Sequence, residues 1–220
     1  MANLILYDFV QSREYTLIQL VNDYGERIQD DFQGVLFHEY DDKFLKATYW
    51  QRKMRKGYKY SVEKERFEEM EEETISVAEF GIDVLKKKLF IFGNKHMAQR
   101  IVTLIGTISR YSYSITEYIV DMDKIVNRIC KSESIELLKM KLSDIVIEHG
   151  LLANCDVSLM DQDNPNGIAL RYIANIIVFS FILENINTVV TVYKTGKISI
   201  NKITDNDKEE IVQKIIQLTC

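Results

Sequence analysis

Apolar and polar positions along this chain follow two periods, and the changes from one to the other mark the elements. Residues 3–10 read as a short strand. After Ser12, Leu17, Ile18, Val21 and Tyr24 keep helical spacing, and Gly25 stands where such a helix would end. Residues 35–40 form a second apolar run behind Gly34 and predict a strand. Residues 43–50 and 58–62 flank Arg55-Lys56-Gly57, which predicts a hairpin with that basic tripeptide at its tip. Over residues 62–73 helix and strand both fit. Lys64 and Glu68 make a favourable i,i+4 pair in a helix, whereas Glu65–Glu69 and Glu68–Glu72 are unfavourable ones.

A hairpin followed by a helix is predicted twice. In the first instance Ile75, Val77, Ile82 and Val84 lie on one strand, Leu85-Lys86-Lys87-Lys88 turns, and Leu89-Phe90-Ile91-Phe92 returns. Asn94 then caps a helix whose stripe is Met97, Ile101, Leu104, Ile105 and Ile108. In the second, Val190 and Val192 alternate, the turn falls near Lys194-Thr195-Gly196, and Ile198 and Ile200 return. Thr204 or Asp205 caps a helix that buries Ile211, Val212, Ile215 and Leu218.

Between them, residues 112–120 read as extended and residues 122–129 as a helix after Asp121. Ile135, Leu138, Leu142 and Ile145 fit a helix, yet Leu138, Met140 and Leu142 also fit a strand. Residues 161–167 carry the strongest loop signal. Residues 173–183 read as a buried segment, because 11 apolar-rich residues fall short of the roughly 20 that span a bilayer. The expected fold class is α+β: a mixed or antiparallel sheet with packed helices, including two hairpin–helix (ββα) units. The expected organisation is an N-terminal half, 1–112, carrying the basic hairpin, and a C-terminal half, 113–220. No Pro- or Gly-rich linker divides them, so one continuous domain is the other reading.

Composition narrows the chemistry. The 220 residues are 46% hydrophobic and 28% charged with net charge −5, so general attraction to nucleic acid is not expected and only a local basic patch could supply it. The N-terminus has no basic n-region and no cleavage signal, so it does not read as a secretory leader. Cys130, Cys155 and Cys220 are odd in number and widely spaced, which fits thiols in a reducing cytoplasm. The expectation is a cytoplasmic protein with no membrane contact.

His38, His96 and His149 stand alone, with no zinc-ligand spacing, no phosphate-binding glycine loop and no nucleophile elbow nearby. Asp41-Asp42-Lys43, with Asp30 and Asp31 upstream, is the nearest approach to the carboxylate–lysine pattern of a metal-dependent nuclease. Asp156, Asp161 and Asp163 form a second acidic cluster, but Pro165 and Asn166 break the calcium-loop pattern. Turn-forming roles are the simpler reading of both. The leading reading is therefore non-enzymatic, with no cofactor and no metal, and a metal-dependent nuclease-like hydrolase built on Asp41 and Lys43, or on Asp156, Asp161 and Asp163, stays as an alternative.

One stretch departs from the average. Residues 43–66 hold nine basic residues against two acidic ones, interleaved with Tyr49, Trp50, Tyr58 and Tyr60. The sign then reverses through Glu68, Glu69, Glu71, Glu72 and Glu73. Basic side chains can meet phosphates while aromatics stack on bases. The expected nucleic-acid-binding residues are Lys46, Tyr49, Trp50, Arg52, Lys53, Arg55, Lys56, Tyr58 and Lys59. The alternative is an adaptor or assembly subunit that meets a protein partner, or forms a homo-oligomer, through complementary charge.

Overall fold

The computed structural model describes residues 2–11, 15–27, 31–201, 203–204 and 207–219, with backbone alone at 26 and 27. Ser12, Asp30, Asp205 and Cys220, which the sequence reading invoked, lie outside them. The fold is α+β and dominated by antiparallel sheet. The chain divides into two compact units, Phe9–Ile115 and residues 2–8 with 116–219. The first strand, β1 (Ala2–Gln11), gives its last residues to the former and its first to the latter.

In the unit Phe9–Ile115, α1 (Leu17–Arg27) is followed by β2 (Gln33–Tyr40), β3 (Phe44–Ser61), β4 (Arg66–Asp83), β5 (Lys88–Phe92) and α2 (Lys95–Ile108). The four strands pair in sequence order, all antiparallel. Alternation selects the inner face: Leu45, Ala47 and Tyr49 of β3 stand beside Ala78, Phe80 and Ile82 of β4, with Leu89 and Ile91 of β5 beyond, all buried. Each large apolar side chain so buried contributes roughly 1.5–3 kcal/mol. A Cβ on Gly93 would lie 3.1 Å from that of Ala78 and 3.7 Å from that of Met97, which puts the first turn of α2 against β4. Asn94 caps α2 by accepting a 2.9 Å hydrogen bond from the Met97 N–H.

Helix α1 runs through Gly25 rather than ending there. A glycine inside a helix costs only about 1 kcal/mol. Tyr24 offsets this, since its hydroxyl accepts from the Val35 N–H at 2.7 Å and its ring meets Phe37 edge-on.

The other unit contains α3 (Met122–Ile129), β7 (Ile135–Glu148), β8 (Leu151–Ser158), α4 (Pro165–Arg171), β9 (Ile176–Leu183), β10 (Thr188–Tyr193), β11 (Lys197–Ile200) and α5 (Lys208–Thr219); β6 (Tyr113–Glu117) lies at the boundary. Its strands run β1–β11–β10–β9–β7–β8, antiparallel throughout. Residues 135–148, which fitted either period, form a strand. The register against β9 slips between Leu137 and Lys139, so the buried set changes from Ile135 and Leu137 to Met140 and Leu142. That bulge shifts the face by one residue and imitates a helical period. No helix among the described residues is long and apolar enough to cross a membrane.

Candidate nucleic-acid interface

The distinctive element is the far end of the β3–β4 hairpin. Pairing with β2 ends at Gln51 and one further bond, Arg52 N–H to the Phe32 carbonyl at 2.7 Å. Pairing with β5 ends at Glu79↔Phe92. From Arg52↔Ile75 to Ser61↔Arg66 the two strands pair only with each other among the described residues, giving a two-stranded ribbon of ten residue pairs. At about 3.3 Å per residue it extends roughly 30 Å.

The turn is not at Arg55-Lys56-Gly57. Gly57 lies within β3 opposite Met70, and the chain reverses over residues 62–65, where Glu65 takes a left-handed φ of 48°. Electrostatics explains the choice. A turn at Lys56 would fold the basic run onto itself and set Lys53 against Lys59. The observed register instead sets Arg55 against Glu72, Lys56 against Glu71 and Lys59 against Glu68. The basic and acidic runs are thus the two strands of one ribbon, and residues 62–73 are turn and strand with no helix. Over residues 52–75 there are seven basic residues (52, 53, 55, 56, 59, 64, 66) and seven acidic (63, 65, 68, 69, 71, 72, 73), so the ribbon carries no net charge.

Alternation then sorts the side chains. One face holds Arg52, Met54, Lys56, Tyr58 and Tyr60 beside Ile75, Glu73, Glu71, Glu69 and Phe67. Here the Arg52 guanidinium meets Glu73 at 3.0 Å and the Lys56 ammonium meets Glu69 at 3.4 Å, while the rings of Tyr60 and Phe67 pack edge-on. The other face holds Lys53, Arg55, Gly57 and Lys59 beside Thr74, Glu72, Met70 and Glu68, with Arg66 nearest the turn. Lys53, Arg55 and Lys59 make no ion pair with any described residue, whereas Glu68 is engaged by Lys64 at 2.7 Å and Arg66 at 3.8 Å.

The expected site residues are therefore divided. Tyr49 is in the core, its hydroxyl donating to Gln33 at 2.7 Å, and no base can stack on it. Trp50 is half-buried, its indole lying over Gly34 on the same face as Tyr58. Lys46 is at the root of the ribbon opposite Gly81, outside the two-stranded part. Arg52 and Lys56 share the aromatic face in ion pairs; Lys53, Arg55 and Lys59 occupy the reverse. No protein-family model matches the chain, and no curated protein matches it.

One carboxylate of each acidic cluster makes a local contact. Asp41 accepts from the N–H groups of Lys43 and Phe44, both at 2.7 Å, and these bonds hold its carboxyl below the usual range. It shapes the turn into β3. Asp156 pairs with Lys141 at 3.2 Å. Among the described residues no three His, Cys, Asp or Glu side chains gather where they could hold a metal. Sequence reasoning missed Phe67 and Met70, which complete the ribbon faces, and the exposed Val146, Ile147, Leu151 and Leu152 around the β7–β8 turn. The second group was signalled only by two apolar pairs flanking Glu148-His149-Gly150.

Proposed function

We propose that this is a non-enzymatic binding protein whose β3–β4 ribbon contacts nucleic acid through the face bearing Lys53, Arg55 and Lys59. The observation that carries the reading is that three cations unpaired among the described residues, exposed Arg55 and Lys59 and half-buried Lys53, line one face of a two-stranded ribbon beside Glu72 and Glu68. A β-ribbon of two strands has the cross-section that enters a duplex major groove, and an arginine at its centre can reach base edges. Gly57, between Arg55 and Lys59, leaves that column low and lets the backbone approach closely. The aromatics lie on the other face, so stacking on unpaired bases is not part of the reading, which favours duplex over single strands.

Because the ribbon as a whole is neutral, binding is short-ranged, without long-range steering. Three phosphate contacts give a slope of log affinity against log salt of about −2.7, roughly a fortyfold loss between 50 and 200 mM salt. Fluorescence anisotropy with labelled duplex DNA, duplex RNA and single strands across that range tests it. Replacing Lys53, Arg55 and Lys59 together by Ala should flatten the slope, whereas Lys56→Ala should change it little. Absence of binding at 50 mM salt, or a triple variant that binds as the parent does, refutes the proposal. The two thiols among the described residues, Cys130 and Cys155, are both free, which accords with a reducing cytoplasm. A second reading, assembly with a protein, is favoured by the apolar side chains of the opposite face.

A further inference from the structure

We infer that the aromatic face of the ribbon is an interface with the same face of a second copy of this chain, packed about a two-fold axis running along the ribbon. The inference uses the side turned away from Lys53, Arg55 and Lys59, so it stands or falls independently of nucleic-acid binding.

The face is apolar beyond what scattered surface residues explain. Met54, Tyr58, Tyr60, Phe67, Ile75 and Val77 share this face from the ribbon onto the sheet, each between 49% and 71% exposed, with charged residues interspersed. Apolar surface gathered on one face in this way marks interaction sites. On that face the charges fall in two columns. Arg52 and Lys56 belong to β3, and Glu69, Glu71 and Glu73 to β4. Glu71, opposite Lys56, makes no ion pair with any described residue, so the acidic column keeps one uncompensated charge.

Self-complementarity of those columns selects the arrangement. An axis along the ribbon lays β3 of one copy over β4 of the other at the same level, so Lys56 meets the second copy's acidic column at Glu71 and Tyr60 lies over Phe67. Sheets pack face to face about 10 Å apart, within reach of a lysine and a glutamate extended toward each other. An axis across the ribbon would lay β3 over β3 and β4 over β4 in opposite directions, with the basic column facing the basic column and the acidic facing the acidic. Edge-to-edge pairing fails similarly: β3 on β3 or β4 on β4 sets like charges side by side, and β3 on β4 does not close. Only the lengthwise two-fold closes and matches charge.

Sedimentation equilibrium from 1 to 200 µM tests the interface, with circular dichroism to confirm that each variant folds. The parent should form a dimer. Tyr58→Ser with Phe67→Ser should make it monomeric, and Lys56→Glu or Glu71→Lys alone should weaken it by about fivefold or more. Combining Lys56→Glu with Glu71→Lys should restore most of the affinity, a result that general destabilisation would not give. A parent that stays monomeric to 200 µM, or a dimer indifferent to all four changes, overturns the inference. So does a charge-swapped variant no tighter than its single parents.

Discussion

Gly81→Ala probes the packing that fixes the root of the ribbon. Gly81 lies in β4 directly opposite Phe90 of β5, and the Phe90 ring covers it. A methyl group at Gly81 would fall 2.2 Å from Cζ and 2.8 Å from both Cε atoms. Carbon–carbon contact becomes favourable only near 3.5–4 Å, so the ring must move by more than about 1 Å. Phe90 is 9% exposed, which leaves little room for that movement. Overpacking of this kind costs about 1–3 kcal/mol. Replacing a strand glycine recovers roughly 0.5–1 kcal/mol of chain entropy, so the net loss should be about 1–2 kcal/mol. For a chain of this length that lowers Tm by roughly 2–8 °C. Trp50, the single tryptophan, lies in the same unit and reports its unfolding by fluorescence in urea. In a Phe90→Ala background the same substitution should be neutral or mildly stabilising. A Gly81→Ala variant as stable as the parent, or an equal penalty in both backgrounds, refutes the reasoning.

Other consequences are smaller or narrower. Asn94→Ala removes the side-chain acceptor of the Met97 N–H and should cost about 1 kcal/mol in urea unfolding, whereas Asn94→Asp keeps an acceptor and should lose far less. Tyr113 donates to the Tyr15 carbonyl at 2.8 Å, and burial, with Tyr15 as a lesser cause, pushes its phenol well above the ordinary value. A raised pKa keeps the proton bound in the folded chain, so its contribution is complete below about pH 10, where the unfolded phenol ionises, and is lost as pH rises further. Tyr113→Phe should lower stability at neutral pH but lose less of it between about pH 9 and 11 than the parent does. Glu73→Gln should cost under about 1 kcal/mol, because the Arg52–Glu73 pair is 41% and 44% exposed. A larger loss by thermal unfolding would show that the ribbon is held by its charges and not by its register.

The sequence disclosed elements where the apolar pattern runs uninterrupted. Asn94 and Asp121 cap their helices as their positions before apolar stripes imply, and residues 35–40 and 89–92 are strands as their apolar runs suggest. Legibility fails where one residue changes the period. The slip after Leu137 moved the buried face of β7, and no local signal marks it. Gly25 read as a stop because the compensating Tyr24–Val35 bond joins residues distant in sequence.

The ribbon failed to read for a different reason. Its residues alternate against no core, so neither apolar period nor burial can reveal the strand, and Gly57 among basic residues imitates a turn. The information was present as charge, divided between two runs that looked like separate features. Like charges repel across a ladder and unlike charges attract, so a basic run followed by an acidic run of similar length specifies a hairpin turning between them. Applied to residues 52–73, that rule places the reversal near residues 62–65 and predicts the neutral ribbon without reference to hydrophobicity. It also divides the proposed contacts. A strand's alternation sends consecutive residues to opposite faces, so a basic, aromatic stretch written as one motif becomes a cationic face and an aromatic face. One surface cannot hold phosphate and stack bases with that whole set, but two surfaces can serve two partners.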